Sequence, residues 1–512
     1  MTRADHMAQM ENVFGLFVQH QNDMEMAGVL PLLTEDAVLE MQDIGLRSEG
    51  AEAVCRDLQE YFEKEKAAGH RMYHIPHSLC VKLEEEGKKG QVYAETHSYL
   101  ADRADGTVRV FCMRYDMDLA LVKDSWKITA LRWYGLQYFA ALPGSSDEMI
   151  LYEQSAFCLP AATVSGQDHI AIQNLMGAWC IRNRRGAAEL FVKSGEGTIR
   201  IPALSEGTAA SALEQIEAAE RSNLNCYLAV PFLGAPVIDV QNDRAEGWWM
   251  SHTYQLQSSL FGKEGKEVTI RKIERVHCRF VREDGSWKIL SLEVIPLAQL
   301  PPIAIDRKIH GQTPVWDGQD HWPEPPSYET ENYADQYPED VYALQRIFPE
   351  WGLRLRRAEM QKTPDLIFIS DQDRVDIDIN IRRNIGISNN LFRLKEFDDN
   401  CRPHETTSHN TSSPYFYINE ACDRAEISWL DEGWTNMNAV FKRTDDPVHF
   451  MLNLGEYRFT YEKEADGQWK VQRIWWRVLY RLPDMQMDKE PPCFCNCDKD
   501  HIWPMPFETV RY

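Results

Sequence analysis

The side chains best suited to proton chemistry recur at matching places. His97 lies in Thr96-His97-Ser98-Tyr99, His252 in Ser251-His252-Thr253-Tyr254 and Glu432 in Asp431-Glu432-Gly433-Trp434; each falls seven residues beyond a small residue near a strand entry. A second group is Tyr73-His74-Ile75-Pro76-His77, and a third is the tail Cys493-x-Cys495-x-Cys497 with His501. Removing a proton beside a carbonyl needs a base held near the operating pH and a donor for the developing oxyanion. A strand histidine is more often a hydrogen-bonded structural residue than a base, so both readings stand for each. Zinc sites usually use Cys-x-x-Cys pairs, which alternating cysteines fit poorly, and no metal is expected. The chain carries no glycine-rich phosphate loop, Gly-x-Ser-x-Gly elbow or nucleotide fingerprint, so chemistry without a cofactor is the expectation.

The elements that must position these groups occur three times. Asp124-Ser125-Trp126-Lys127-Ile128, Gly285-Ser286-Trp287-Lys288-Ile289 and Gly467-Gln468-Trp469-Lys470-Val471 each read as a polar turn followed by a closing strand. The tryptophans are a domain length apart (287 − 126 = 161; 469 − 287 = 182). Asp243-Arg244-Ala245-Glu246 repeats as Asp423-Arg424-Ala425-Glu426, and Ser48-Glu49-Gly50 as Ser205-Glu206-Gly207. The first helices align as Phe17-x-x-His20-x-Asn22-Asp23, Trp179-x-x-Arg182-x-Arg184-Arg185 and Trp351-x-x-Arg354-x-Arg356-Arg357. Met7, Met10, Phe14, Phe17 and Val18 follow helical spacing, and alternating strands follow at 77–83, 91–100, 108–122 and 126–138. Helices first and an antiparallel meander after is an α+β pattern. Pro349 predicts a break in the third copy's first helix. Residues 1–143, 167–302 and 338–484 are read as three domains, 144–166 and 303–337 as linkers, and 485–512 as a tail that docks on a neighbour. Trp316 and Trp322 are candidate anchors of the second linker.

A formal charge of −24 repels phosphate backbones and anionic membranes, so neither nucleic acid nor a membrane is an expected partner. The amino terminus lacks a basic-then-apolar leader, and the cysteines read as reduced thiols; a cytoplasmic location is the expectation.

These motifs, in order and in three copies, resemble the SnoaL-like, nuclear-transport-factor-like superfamily over about four-fifths of the chain. The resemblance implies three tandem cone-shaped α+β barrels, each a curved antiparallel sheet wrapped on helices. It also implies acid–base chemistry without a cofactor, of the dehydratase, isomerase or cyclase kind, on a hydrophobic cyclic small molecule, with the first copy nearest to a complete set. There His74 falls at the dehydratases' His-x-Pro strand entry, Asp23 or Asn22 near their helix-one aspartate, and His97 on a strand that carries a carboxylate in those enzymes. Their helix-one tyrosine is replaced by Phe17 or Val18. Catalytic candidates are therefore His74, Asp23 and His97, with His74 and Asp23 expected in one cavity. Phe17, His20, Tyr99, His252 and His409 are candidate ligand contacts. The alternative is a non-catalytic ligand-binding or assembly protein. Three fused copies imply either a monomeric pseudo-trimer or a homodimer.

Overall fold

Each closing tryptophan is anchored to the start of its own copy's first helix, which explains why it recurs. In the computed structural model Trp126 Nε1 donates to His6 Nδ1 (3.3 Å), Trp287 Nε1 to Asp168 Oδ1 (2.8 Å) and Trp469 Nε1 to Asp340 Oδ1 (2.7 Å). One indole thus joins the last strand of a meander to the first turn of the helix it covers. The structure describes residues 1–142 apart from 85; 146–306 apart from 154–156, 159–161, 182–186, 194, 203, 222–226 and 259–265; 331–436 apart from 358, 364–366, 380–381, 386–394, 396–397 and 399–406; 448–487; and Phe507.

The first unit comprises α1 (Arg3–Asp23), β1 (Leu33–Met41), β2 (Leu46–Glu49), α2 (Ala51–Ala67), β3 (His70–Leu83), β4 (Lys89–Asp102), β5 (Val108–Val122) and β6 (Ser125–Leu142). Its sheet order is β2-β1-β6-β5-β4-β3. The second begins with β7 (Ile150–Leu151) and α3 (Gly166–Ile181). It continues with β8 (Thr198–Ile201), β9 (Ser205–Thr208), α4 (Ala209–Arg221), β10 (Tyr227–Gln241), β11 (Arg244–Ser258), β12 (Lys266–Glu283) and β13 (Ser286–Asp306). The third has α5 (Pro338–Gln345), α6 (Ile347–Arg356), β14 (Asp376–Ile379), β15 (Arg382–Ile385), β16 (Thr407–Ile418), β17 (Arg424–Asn436), β18 (Val448–Lys463) and β19 (Trp469–Met487). All three sheets share one strand order: β9-β8-β13-β12-β11-β10 and β15-β14-β19-β18-β17-β16 repeat that of the first, with β7 added beside β13. The fold is α+β with curved sheets, and among the described residues no sheet closes into a barrel. Pro349 does break its helix: α5 and α6 meet at Arg346, because a proline removes a backbone donor and crowds the preceding turn.

The edge strands begin earlier than alternation alone predicts. β3 starts at His70 and β10 at Tyr227, the latter running through Pro231 and Pro236. Proline is tolerated there because an edge strand has one unpaired side and a bulge needs no ladder bond. Each edge strand carries a bulge, between His77 and Cys80, Leu233 and Pro236, and Ser412 and Tyr415. Ser78 and Ser413 are left-handed at the bulge (φ 48° and 52°).

Those bulges are where the units meet. α1 lies on β10 of the second unit and α3 on β16 of the third. A Cβ at Gly15 would overlap the Pro236 carbonyl oxygen, and one at Gly177 the Pro414 carbonyl oxygen. Three residues earlier, Asn12 brackets the Ile238 backbone (2.7 and 2.8 Å) and Asn174 the Phe416 backbone (3.1 and 2.8 Å). The third unit closes the ring on the first: buried Arg356 donates to Glu95 Oε2 of β4 at 2.7 Å. Arg356 is thus a contact between units, while its aligned counterparts Arg184 and Arg185 lie outside the described residues. On the axis Glu11, Gln173 and Gln345, at matching helix positions, line a cavity of about 50 Å³ together with His77.

The first linker is structured in part: Phe157 packs edge-on against His20 and Trp248. In the tail, Phe507 stacks under Arg346 (5.3 Å) and near Lys82 (5.9 Å). Trp316, Trp322 and the tail cysteines with His501 lie outside the described residues. Among the described residues no helix is long and apolar enough to cross a membrane.

Candidate functional site

The cone of the first unit holds a partly open cavity of about 260 Å³. α2 forms one wall; its inward face buries Val54, Leu58 and Phe62, and the adjacent Tyr61 turns into the cavity. The strands supply Met72, Leu100, Phe111, Met113 and Trp133, an apolar lining. Polar groups converge on this lining from three places. A short turn after β1, closed by Gly45 at φ 64°, carries Asp43. The start of β3 supplies His70, with Nδ1 2.6 Å from Glu65 Oε2 and Nε2 3.5 Å from Asp102 Oδ2. Arg109 lies on β5.

Asp43 accepts a hydrogen bond from the Gly135 N–H on β6. Burial pushes its carboxyl up to about 6, with the Gly135 N–H pulling the other way. Tyr61 is pushed above the ordinary phenol range by burial, then by Glu65 and Asp43 nearby, so it stays a protonated donor. A carboxylate poised near neutrality, a neutral phenol and an apolar wall are the groups that a proton transfer needs. Asp43, Tyr61 and His70 were not among the candidates singled out from the sequence. The available signal was an acid in a glycine-closed turn directly after a strand whose second half alternates buried and half-buried residues.

His74 is buried one ring behind this cavity. Its backbone is clamped by Asn22, whose Oδ1 accepts from His74 N (2.8 Å) and whose Nδ2 donates to His74 O (2.9 Å). The ring pairs with Ser98 Oγ through Nδ1 (2.8 Å) and stands edge-on to Trp133, a cavity wall, at 5.0 Å. Burial drops its pKa to about 3, so it is neutral.

Asp23 is not with it. Asp23 Oδ1 takes Arg275 Nη2 of the second unit at 2.8 Å, and Oδ2 accepts the Phe157 N–H at 2.5 Å. The expectation that His74 and Asp23 share a cavity is therefore corrected. One residue along a helix is a turn of about 100°, so Asn22 faces β3 and Asp23 faces the neighbouring unit. Phe17 is core, edge-on to Tyr115 at 6.3 Å. His20 packs on Phe157, and burial lowers its pKa against the pull of Asp23.

His409 is the third unit's counterpart of His74. It pairs with Gly433 across β16–β17 as His74 pairs with Ser98 across β3–β4. The same stacked Tyr–Trp pair cradles it: Tyr457 and Trp476 there, Tyr115 and Trp133 here. Its Nδ1 lies 2.9 Å from Asp431 Oδ2, which also accepts from Trp476 Nε1 at 3.0 Å.

The structure brings His97, Tyr99 and His252 together, but on the ring axis and with Glu432. All four are fully buried. Glu432 Oε1 accepts from Tyr254 OH (2.5 Å), Trp434 Nε1 (2.8 Å) and Tyr99 OH (2.9 Å). Tyr99 has one proton, so His252 Nδ1, 2.7 Å away, must donate to its oxygen. Glu432 Oε2 lies 3.0 Å from His97 Nδ1 and 3.5 Å from His252 Nδ1. Burial works to raise the Glu432 pKa, but the two histidines and the donors hold it well below the usual carboxylate range. For His252, burial lowers the pKa and Glu432 opposes.

A SnoaL-like domain model matches residues 2–132 and again 168–293, together half of the chain. The chain belongs to the SnoaL-like family. The third unit of this SnoaL-like chain lies outside the match and shares its strand order. No curated protein matches. Among solved structures, it is similar to an NTF2-like protein with a cystatin-like fold from Novosphingobium aromaticivorans (12% identity, 25% of this chain and 80% of that one, TM-score 0.22). Another is a ketosteroid isomerase-like protein from Erwinia carotovora atroseptica (15% identity, 26% and 98%, TM-score 0.22). A third is a hexachlorocyclohexane dehydrochlorinase from Novosphingobium barchaimii (14% identity, 26% and 88%, TM-score 0.23).

Proposed function

We propose that this protein is a cofactor-independent lyase or isomerase acting on a hydrophobic cyclic small molecule in the cone of the first unit. The observation that carries this is Asp43: a carboxyl with a pKa of about 6, inside an apolar cavity of about 260 Å³. In this reading Asp43 removes a proton next to an activating group, and Tyr61 or His70 donates to the oxygen that gains charge. His74 and Asn22 act as positioning residues behind Trp133. His97 and Asp23, occupied at unit contacts, have structural roles. The three units serve as domains within the limits 1–143, 167–302 and 338–484, and the ring they close is the working monomer.

Nitrobenzisoxazole is a suitable probe: an apolar bicyclic ring with one acidic C–H. A base takes that proton, the ring N–O bond breaks, and a coloured phenolate forms without a co-reactant. The full chain should turn it over with a rate that rises through pH about 6. Asp43→Asn should lower the rate about 100- to 10,000-fold while leaving the fold intact. An unchanged rate in that variant would remove Asp43 from the mechanism.

One observation favours a second reading, a non-catalytic ligand-binding protein. Two residues aligned with dehydratase positions, Asp23 and His97, are committed to contacts between units. Saturable binding of the probe with no turnover at any pH would support it.

A further inference from the structure

His77 is a buried titratable group that neither the cone nor the ring contacts use. It is 1% exposed, and neither ring nitrogen has a hydrogen-bond partner. Its ring faces His97 at 5.3 Å and also lines the axial cavity of about 50 Å³. Leaving a buried imidazole without a partner costs roughly 1–3 kcal/mol, so such a group calls for an explanation.

The neighbouring carboxylate has a matching asymmetry. Three donors occupy Glu432 Oε1, whereas Oε2 has none aligned as a hydrogen bond and points to His97. Donor atoms of His77, His97 and Glu432 all lie within 4.8 Å of one another, and His97 Nδ1 is 3.0 Å from Glu432 Oε2. Ligands at about 2.0–2.2 Å from a tetrahedral ion stand roughly 3.3 Å apart, so small side-chain rotations bring the set into range.

We infer that His77, His97 and Glu432 form a binding site for a divalent transition-metal ion, zinc by ligand type, at the centre of the ring. Two imidazole nitrogens and one carboxylate oxygen suit zinc and leave a fourth position for water, for which the axial cavity has room. Tyr99, Tyr254 and Trp434 then orient the carboxylate from its far oxygen, as outer hydrogen bonds do at metal centres. Because His77 and His97 belong to the first unit and Glu432 to the third, the ion would tie together the two ends of the ring.

The test is zinc titration by calorimetry of the full chain after dialysis against a chelator, with melting curves. The tail cysteines could compete for zinc, so the chain with Cys493→Ser, Cys495→Ser and Cys497→Ser is measured alongside. One zinc per chain is expected in both, with a higher melting temperature when loaded. His77→Phe, which fills the same space with an apolar ring, should weaken binding at least ~100-fold and make melting insensitive to zinc. Should that variant fail to fold, His77→Gln serves in its place. The inference is overturned if the folded wild type takes up no zinc. It is equally overturned if uptake survives the loss of His77 and disappears with the cysteines.

Discussion

The cone of the first unit half-buries Asp43 and His70, the ring axis fully buries Glu432 and its histidines, and the two treat their acids in opposite ways. In the cone, Asp43 has one backbone donor and apolar walls, and it is held near neutrality. On the axis, Glu432 has three side-chain donors and two histidines, and it is held ionised. The difference teaches that burial alone does not make a base. A carboxylate works as one when its charged form is only partly supported, and becomes a structural fastener when that form is saturated.

The largest effect that can break this comparison is at the axis. Glu432→Ala leaves Tyr99, Tyr254, Trp434 and two histidines facing a hole. In chelator it should cost about 3–5 kcal/mol by urea unfolding. The probe rate per folded molecule should stay as it was. A parallel loss of rate would show that cone and axis are coupled.

Next in size is Glu11, which burial pushes up to about 8, against a hydrogen bond from Gln173. His169 Nε2 lies 3.5 Å from it, but burial drops His169 to about 3, so at neutral pH the two are neutral neighbours rather than an ion pair. A carboxyl whose folded pKa is raised holds its proton where the unfolded chain has lost it. Stability should therefore fall as pH rises from about 4.5 to about 8, then level off. Glu11→Gln should flatten that slope and be more stable at pH 8 by roughly 3 kcal/mol.

Gly177→Ala comes third. Its Cβ would overlap the Pro414 carbonyl oxygen, so α3 must lift from β16 at a cost of about 2 kcal/mol, seen as a lower urea midpoint. The smallest effect sharpens the contrast most. Asp43→Asn should gain about 1 kcal/mol at pH 8, because a disfavoured charge is removed, while probe turnover is lost. If it loses stability instead, Asp43 is a fastener too and the comparison fails.

The three-part architecture was legible because Trp126, Trp287 and Trp469 each report the same event, a closing strand meeting the start of its helix. The equivalence of His97, His252 and Glu432 was legible as well, by counting from the strand entry. That these positions converge was not, since the meeting of three edge strands depends on bulges, and a bulge leaves no fixed spacing. Counting from proline shows the difficulty. Pro76 precedes its bulge and Pro414 lies inside one, so His409 stands five residues before its proline and His74 only two. Asp23 was chosen over Asn22 because the acid looked chemical, whereas a single step around a helix decides which residue faces the strand. Asp43 escaped because its base character comes from the wall opposite, which local sequence does not contain.

The centre of this ring also carries a consequence for how the copies diverged. Were the ring made of three separate identical chains, whatever reached the axis would do so three times. Three histidines would bring no anion, and three glutamates would crowd like charges into one dry space. Covalent joining lifts that demand for sameness. Two copies keep an imidazole, the third supplies a carboxylate, and opposite characters meet at a point where symmetry would have forbidden them. A shortened chain bearing the first unit alone could assemble only with itself, and its centre would hold three copies of His97 and no Glu432.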